Sequence, residues 1–222
     1  AQASTQARTK GPGCRYGSHR VIEPKGILPQ PAQRLDNTAD IWDNELLIDV
    51  STLNIDSASY TQIRSACGSD PAKMEAMISS IVAERGKMQN PVTGSGGMLV
   101  GTVREIGPAF PARKLAVGDR VATLVSLSLT PLRIDRIKRL DPSSDQVDIE
   151  GQAVLFESGI FAHVPEDIPE RLALAALDVA GAPAQVDRLV REGDTVCIIG
   201  GGGKSGVLCC YQAMKNAGPY GK

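Results

Sequence analysis

Residues 195–206 read Thr-Val-Cys-Ile-Ile-Gly-Gly-Gly-Gly-Lys-Ser-Gly, an apolar run that empties into a glycine turn. Gly201, Gly203 and Gly206 take the fixed positions of G-x-G-x-x-G, with Gly202, Lys204 and Ser205 between them. Between a strand and a helix, that spacing lets backbone N–H groups approach a dinucleotide pyrophosphate at the helix N-terminus. The flanks supply the context: Val196 to Ile199 predicts a buried strand containing Cys197, and Val207 to Asn216 a helix. Glycine turns without a ligand also exist, so the motif alone leaves a plain turn open. A triphosphate loop ending in Gly203-Lys204-Ser205 would need glycine at 198, where this chain has Ile. Residues 201–206 are therefore assigned to a dinucleotide, with Lys204 and Ser205 as helix N-terminal residues.

A doubly wound dinucleotide domain uses about six parallel strands. One strand and one helix of it fit before Lys222, so the sequence predicts a truncated nucleotide domain and a fragment of a longer chain. The residue that would choose NAD or NADP, about 20 residues further on, falls outside it.

With 222 residues the chain has room for one large or two small domains. A net charge of −1 gives no basic surplus for nucleic acid or an anionic membrane. No apolar run approaches the roughly 20 residues of a membrane helix. Cys14, Cys67, Cys197, Cys209 and Cys210 are odd in number and lack C-x-x-C spacing, which argues against a disulfide framework and predicts a reducing cytoplasm. Residues 1–10 predict a disordered tail, and 11–40, rich in Gly and Pro, an extended arm.

Glu45 to Asn54 is strand-like. Pro71 to Arg85 is the clearest helix, with Asp70 as N-cap, Gly86 at its end, and Met74, Met77, Ile78, Ile81 and Val82 on one face. Met98 to Ile106, Val121 to Leu129 and Val154 to Val164 are further β-rich runs, and helices are expected over 169–179 and 182–190. The organisation is a β-rich domain over 41–180 followed by an α/β nucleotide domain over 181–222.

Five short runs appear in a telling order: Gly101-Thr-Val-Arg-Glu-Ile-Gly107, Val117-Gly-Asp-Arg-Val121, Val164-Pro-Glu-Asp-Ile168, Glu192-Gly-Asp-Thr-Val196 and the glycine turn. In this the chain resembles the medium-chain dehydrogenase/reductase superfamily, which implies a GroES-like substrate domain followed by a Rossmann domain. Residues 19–26, 54–59, 86–97 and 177–183 narrow the likeness to its L-erythro-3,5-diaminohexanoate dehydrogenases, a zinc-independent family of lysine fermentation. That resemblance implies NAD-dependent oxidative deamination of a small diamino acid at C3, releasing ammonia and NADH.

Zinc-binding relatives hold their metal through a Cys, the His of a Gly-His-Glu run, and a second Cys or Asp. The matching stretches here are Asn54-Ile55-Asp56, Ser95-Gly96-Gly97 and Leu177-Asp178-Val179, without imidazole or thiolate. No metal site is expected. Asp56 and Asp178 sit where the relatives keep ligands. The resemblance makes them the catalytic candidates, one as base for the C3 ammonium and the other holding the C5 ammonium. Against this stands a capping role for each, Asp56 on a turn with Ser57 and Asp178 on the following helix. Ser95, Gly96 and Gly97 form either an N–H donor site or a plain tight turn. Arg15, Tyr16, His19 and Arg20 either clamp a substrate carboxylate or form solvated surface, with surface preferred. Arg133, Arg136, Lys138 and Arg139 read as a solvated face. A zinc-free NADPH-dependent quinone or enoyl reductase is the alternative enzyme, and a non-catalytic module that binds no cofactor the alternative outside enzymology. A homodimer is expected by analogy only.

Overall fold

The computed structural model describes residues 10–111 and 114–222, so the expected tail lies outside them apart from Lys10. The chain is mixed α/β and separates into two compact units, the first ending at His163 and the second running Val164–Lys222. This division falls earlier than the expected 180/181 boundary.

The first unit runs β1 (Val21–Glu23), β2 (Arg34–Leu35), β3 (Glu45–Ile55), α1 (Ser57–Ala66), α2 (Pro71–Arg85), β4 (Gly97–Ile106), β5 (Arg120–Thr123), β6 (Leu132–Leu140), β7 (Gln146–Phe156) and β8 (Phe161–His163). The last six strands other than β1 and β2 form one antiparallel sheet in the order β6-β7-β3-β4-β5-β8. Strand β3 is central and buried on both faces. Its pairings with β4 and β7 both shift register between Val50 and Thr52. A bulge there switches which side chains point inward. Leu46, Ile48 and Val50 before it, and Leu53 and Ile55 after it, all enter the main core. Tyr60 and Ile63 of α1 and Met74, Ile78, Ile81 and Val82 of α2 complete that core from the helical side.

Helix α2 has the expected bounds and caps: Asp70 accepts from Ala72 N–H, and Gly86 takes the left-handed conformation (φ 65°). Strand β5 stops at Thr123, because Ser126 to Thr130 form a turn with Ser126 O accepting the Thr130 hydroxyl. The Val154–Val164 run is split by the turn at Gly159, whose N–H bonds Phe156 O. Strand β6 carries the basic run. Its partly buried Ile134, Ile137 and Leu140 are three apart, since bulges follow Ile134 and Ile137. Arg133 pairs with Asp135, and Arg136 and Lys138 with Glu150, all of them partly solvated as expected of a surface face.

Residues 11–40 do not form a simple extended arm. Val21, Ala32 and Leu35 make a small core of their own. Arg20 is 1% exposed and grips Glu45 with Nε at 2.7 Å and Nη2 at 2.6 Å, while donating to the carbonyls of Asp36, Thr38 and Asp40. Lys87, fully buried, donates to Pro29 O (2.7 Å) and Gln30 O (2.9 Å). Buried cations thus satisfy the carbonyls of a segment that has few ladder bonds of its own.

The second unit contains α3 (Glu170–Leu177), α4 (Gly181–Leu189) and α5 (Lys204–Ala217). Residues 196–199 belong to no sheet among the described residues, and Val196 N–H donates to Lys222 O (2.7 Å). A strand is defined by a paired neighbour, which an apolar run cannot supply by itself. The expectation that Cys197 is buried fails with it: the residue is exposed. Helix α5 starts at Lys204, ahead of the expected Val207, directly on the glycine turn. Among the described residues no helix is long and apolar enough to cross a membrane.

Candidate active site

The end of β3 runs straight into α1, and Asp56 is the hinge between them. It is the N-cap of α1: Oδ1 accepts from Ser59 N–H at 3.0 Å, which satisfies one of the helix's free donors. Its own N–H donates to Gly96 O at 3.2 Å. The 95–97 turn therefore packs against residues 54–56. Gly97 (φ 115°) is required there, since a Cβ would collide with Asn54 O and lie 2.8 Å from Asp56 N. The turn's carbonyls are already engaged: Ser95 O accepts from Asn90 N–H and Gly97 O from Leu127 N–H. Ser95 N–H is engaged as well, on Thr93 Oγ1 at 3.4 Å, which supports the tight-turn role for Ser95.

The capping and catalytic readings of Asp56 use different oxygens. Oδ1 caps; Oδ2 is buried without a hydrogen-bond partner. An unsatisfied buried carboxylate oxygen calls for a function or a bound partner. Beside it, the hydroxyls of Ser59, Thr93 and Ser95 close a triangle with edges of 2.6, 2.8 and 3.0 Å. Sequence reading missed Ser59 and Thr93, because residues this far apart in sequence meet only through the α1 and 95–97 contact.

Asp178 belongs to the other unit and caps the C-terminus of α3; it does not cap α4, whose N-cap is Ala180 without a side-chain bond. Its carboxylate, 15% exposed, lies 3.7 Å from Lys204 Nζ at the first residue of α5. The glycine turn and Asp178 therefore meet through Lys204. Gly206 must be glycine: a Cβ would lie 2.5 Å from Gly201 Cα and 2.7 Å from Gly200 O. Gly202 and Gly203 have nothing within 4 Å of a built Cβ. Gly203, the N-cap of α5, makes no side-chain cap bond, and Ser205 lies in the first turn. Helix N–H groups facing open space above a glycine cradle fit a dinucleotide pyrophosphate.

The arm's cations do not form a carboxylate clamp. Nor is Arg20 solvated, as preferred from the sequence: Glu45 and the carbonyls of Asp36, Thr38 and Asp40 engage its guanidinium. His19 Nε2 also meets Glu45 Oε1 at 2.8 Å. Burial pushes the Glu45 carboxyl up, but bonds from His19 and Arg20, the Arg20 charge and the Trp42 N–H together hold it at about 2. Arg15 is exposed, 5.2 Å from the Tyr16 ring centroid. His163 lies 3.8 Å from Asp119. Among the described residues no three His, Cys, Asp or Glu side chains gather as a metal site would need. Burial first, and then the Arg85 charge, draw the Lys87 ammonium down to about 8.

The L-erythro-3,5-diaminohexanoate dehydrogenase N-terminal domain family matches residues 19–165. A protein named L-erythro-3,5-diaminohexanoate dehydrogenase from Fusobacterium nucleatum subsp. nucleatum is 63% identical over 211 residues, covering 95% of this chain and 61% of its own length. One of the same name from Acetoanaerobium sticklandii is 61% identical over the same shares. The chain thus spans about three fifths of the length of these curated relatives. Among solved structures, the quinone oxidoreductase from Coxiella burnetii aligns at a TM-score of 0.46 with 19% identity, over 85% of this chain and 51% of its own.

Proposed function

The chain belongs to the L-erythro-3,5-diaminohexanoate dehydrogenase N-terminal domain family, and from that premise we propose that the whole protein oxidatively deaminates L-erythro-3,5-diaminohexanoate at C3. Substrate, NAD and water would give 5-amino-3-oxohexanoate, ammonia and NADH. The observation that carries the reading is the spare, buried Oδ2 of Asp56 at the end of β3. On this reading the first unit is the GroES-like substrate domain, and the second is the start of a Rossmann domain.

The dinucleotide, held at Gly201, Gly202, Gly203, Lys204, Ser205 and Gly206, supplies the hydride acceptor for C3. An ammonium has no lone pair to assist hydride loss, so the C3 ammonium must first be deprotonated to the amine while the C3–H bond stays intact for hydride transfer. Asp56 Oδ2 takes that proton. Oδ1 stays on Ser59 N–H, which fixes the carboxylate as the proton arrives. Asp178 holds the C5 ammonium, with Lys204 keeping its carboxylate in place. No metal enters the scheme, because two carboxylates without imidazole or thiolate are a poor zinc site.

NAD is preferred to NADP on the family's reaction. We place the protein in the cytoplasm as a homodimer, with a small diamino acid as its partner and neither nucleic acid nor membrane. Five unpaired thiols support the reducing compartment.

The test uses the natural-length protein with NAD and L-erythro-3,5-diaminohexanoate, following NADH absorbance and ammonia together. Equal amounts of both support the reading. No NADH from a folded, NAD-binding protein, with NADPH-dependent reduction of a quinone or enoyl acceptor instead, sinks it.

A further inference from the structure

Asp56 is not alone in carrying an unsatisfied atom. Asn54 is wholly buried (0% exposed), and its Nδ2 has no hydrogen-bond partner. Side chains of an extended strand alternate, and the backbone stays extended at Asp56 just beyond β3 (φ −56°, ψ 148°), so residues 54 and 56 fall on one side, about 7 Å apart along the chain. Ile55 between them enters the main core. The bulge after Val50 is what turns Asn54 away from that core and lets Leu53 in.

Both polar groups are oriented by neighbours. Gln146 Nε2 donates to Asn54 Oδ1 at 3.4 Å, so the amide NH2 is the free end. Ser59 N–H occupies Asp56 Oδ1, so Oδ2 is the free end. The end of β3 therefore presents a pure donor at Asn54 and, two residues on at the cap of α1, a pure acceptor. Met98, the register partner of Asn54, is 4% exposed and covers the same face. Its unbranched thioether has three rotatable bonds, so this cover is adaptable.

We propose that Asn54 is a specificity residue: its Nδ2 donates to the carboxylate of a β-amino acid whose ammonium is held by Asp56 Oδ2. This rests on the reading of Asp56 as base for the C3 ammonium and adds what holds C1. In a β-amino acid the ammonium nitrogen and a carboxylate oxygen lie roughly 3–5 Å apart, so with one hydrogen bond of about 2.9 Å at each end it reaches between groups up to about 9–11 Å apart. An α-amino acid is shorter, and a simple acid lacks the ammonium. The arm's buried cation is no rival for the carboxylate, since Arg20 is committed to Glu45.

The test is binding of racemic 3-aminobutanoate to the natural-length protein with NAD. The Asn54 side-chain amide resonance is followed by NMR, alongside 2-aminobutanoate and butanoate as comparison probes. The expected result is a shift of that resonance with 3-aminobutanoate, and binding at least tenfold weaker for the other two. Asn54→Leu, which keeps the shape and removes the donor, should weaken 3-aminobutanoate tenfold or more; Asn54→Ala serves if Leu does not fold. An unmoved Asn54 resonance, undiminished binding in the variant, or equal binding of 2-aminobutanoate overturns the proposal. The deamination assay on the same protein separates the two readings. Turnover with an unmoved Asn54 resonance overturns this proposal alone. A shifted resonance without turnover overturns the reaction and leaves the β-amino acid site.

Discussion

Glu45→Gln should be among the most damaging single changes in the first unit, although residue 45 lies outside the proposed site. Its carboxylate is 1% exposed and receives Arg20 Nε and Nη2, His19 Nε2 and the Trp42 N–H. The drop of its pKa from 4.5 to about 2, at about 1.4 kcal/mol per pH unit, corresponds to roughly 3 kcal/mol of stability. Removing one partner of a buried ion pair costs about 3–5 kcal/mol by an independent route, because the other charge stays buried and uncompensated. A loss near 3 kcal/mol is therefore expected at pH 7, or about 6–12 °C in Tm for a unit of this size. The sign fixes the pH window. The folded pKa is depressed, so the contribution is complete above pH 4.5 and fades as pH falls toward about 2. Urea unfolding followed by fluorescence suits the test, because Trp42 is the chain's one tryptophan and packs 4.9 Å from the His19 ring. The gap between wild type and variant should narrow below pH 4.5. A loss under about 1 kcal/mol at pH 7, or a gap unchanged at pH 3, would refute the reasoning.

Gly206→Ala forces a Cβ to 2.5 Å from Gly201 Cα, so NADH affinity by fluorescence titration should fall about tenfold or more; unchanged affinity would remove the glycine turn from cofactor binding. Asp178→Asn should raise KM for the diamino acid about tenfold with a smaller change in kcat, because under the proposed function it loses a charged contact to the C5 ammonium. Equal effects on both would place Asp178 elsewhere in the reaction. For Lys87, whose folded pKa is lowered to about 8 from 10.5, the unfolded chain binds the extra proton between those values. Stability should accordingly rise with pH across that interval, and Lys87→Met should remove the rise in a denaturation series.

The parts of this chain legible in its sequence are those with local causes. Helix α2 announces itself through Asp70, Pro71, a 3.6-residue apolar stripe and Gly86. The turn from 201 to 206 does so by glycine spacing, and the close approach of Gly206 to Gly201 gives the reason. Strand β6 was hidden because its bulges space Ile134, Ile137 and Leu140 by three, erasing the period of two. Residues 196–199 misled in the other direction: an apolar run predicts burial, but pairing needs a neighbour. At the site, family likeness picked out Asp56 and the 95–97 turn together, and Asp56 N–H on Gly96 O joins them. The spare atoms of Asn54 and Asp56 depend on where Gln146 and Ser59 come to rest, which no local pattern encodes.

The most direct measurement is turnover of L-erythro-3,5-diaminohexanoate by natural-length Asp56→Asn. Asparagine is as good an N-cap as aspartate, so α1 should remain intact, and Tm and NAD binding should match wild type. With the base gone, kcat should fall about 10²–10⁴-fold. A variant that is stable, binds NAD and turns over at the wild-type rate would contradict the assignment of Asp56 as the group that takes the proton from the C3 ammonium.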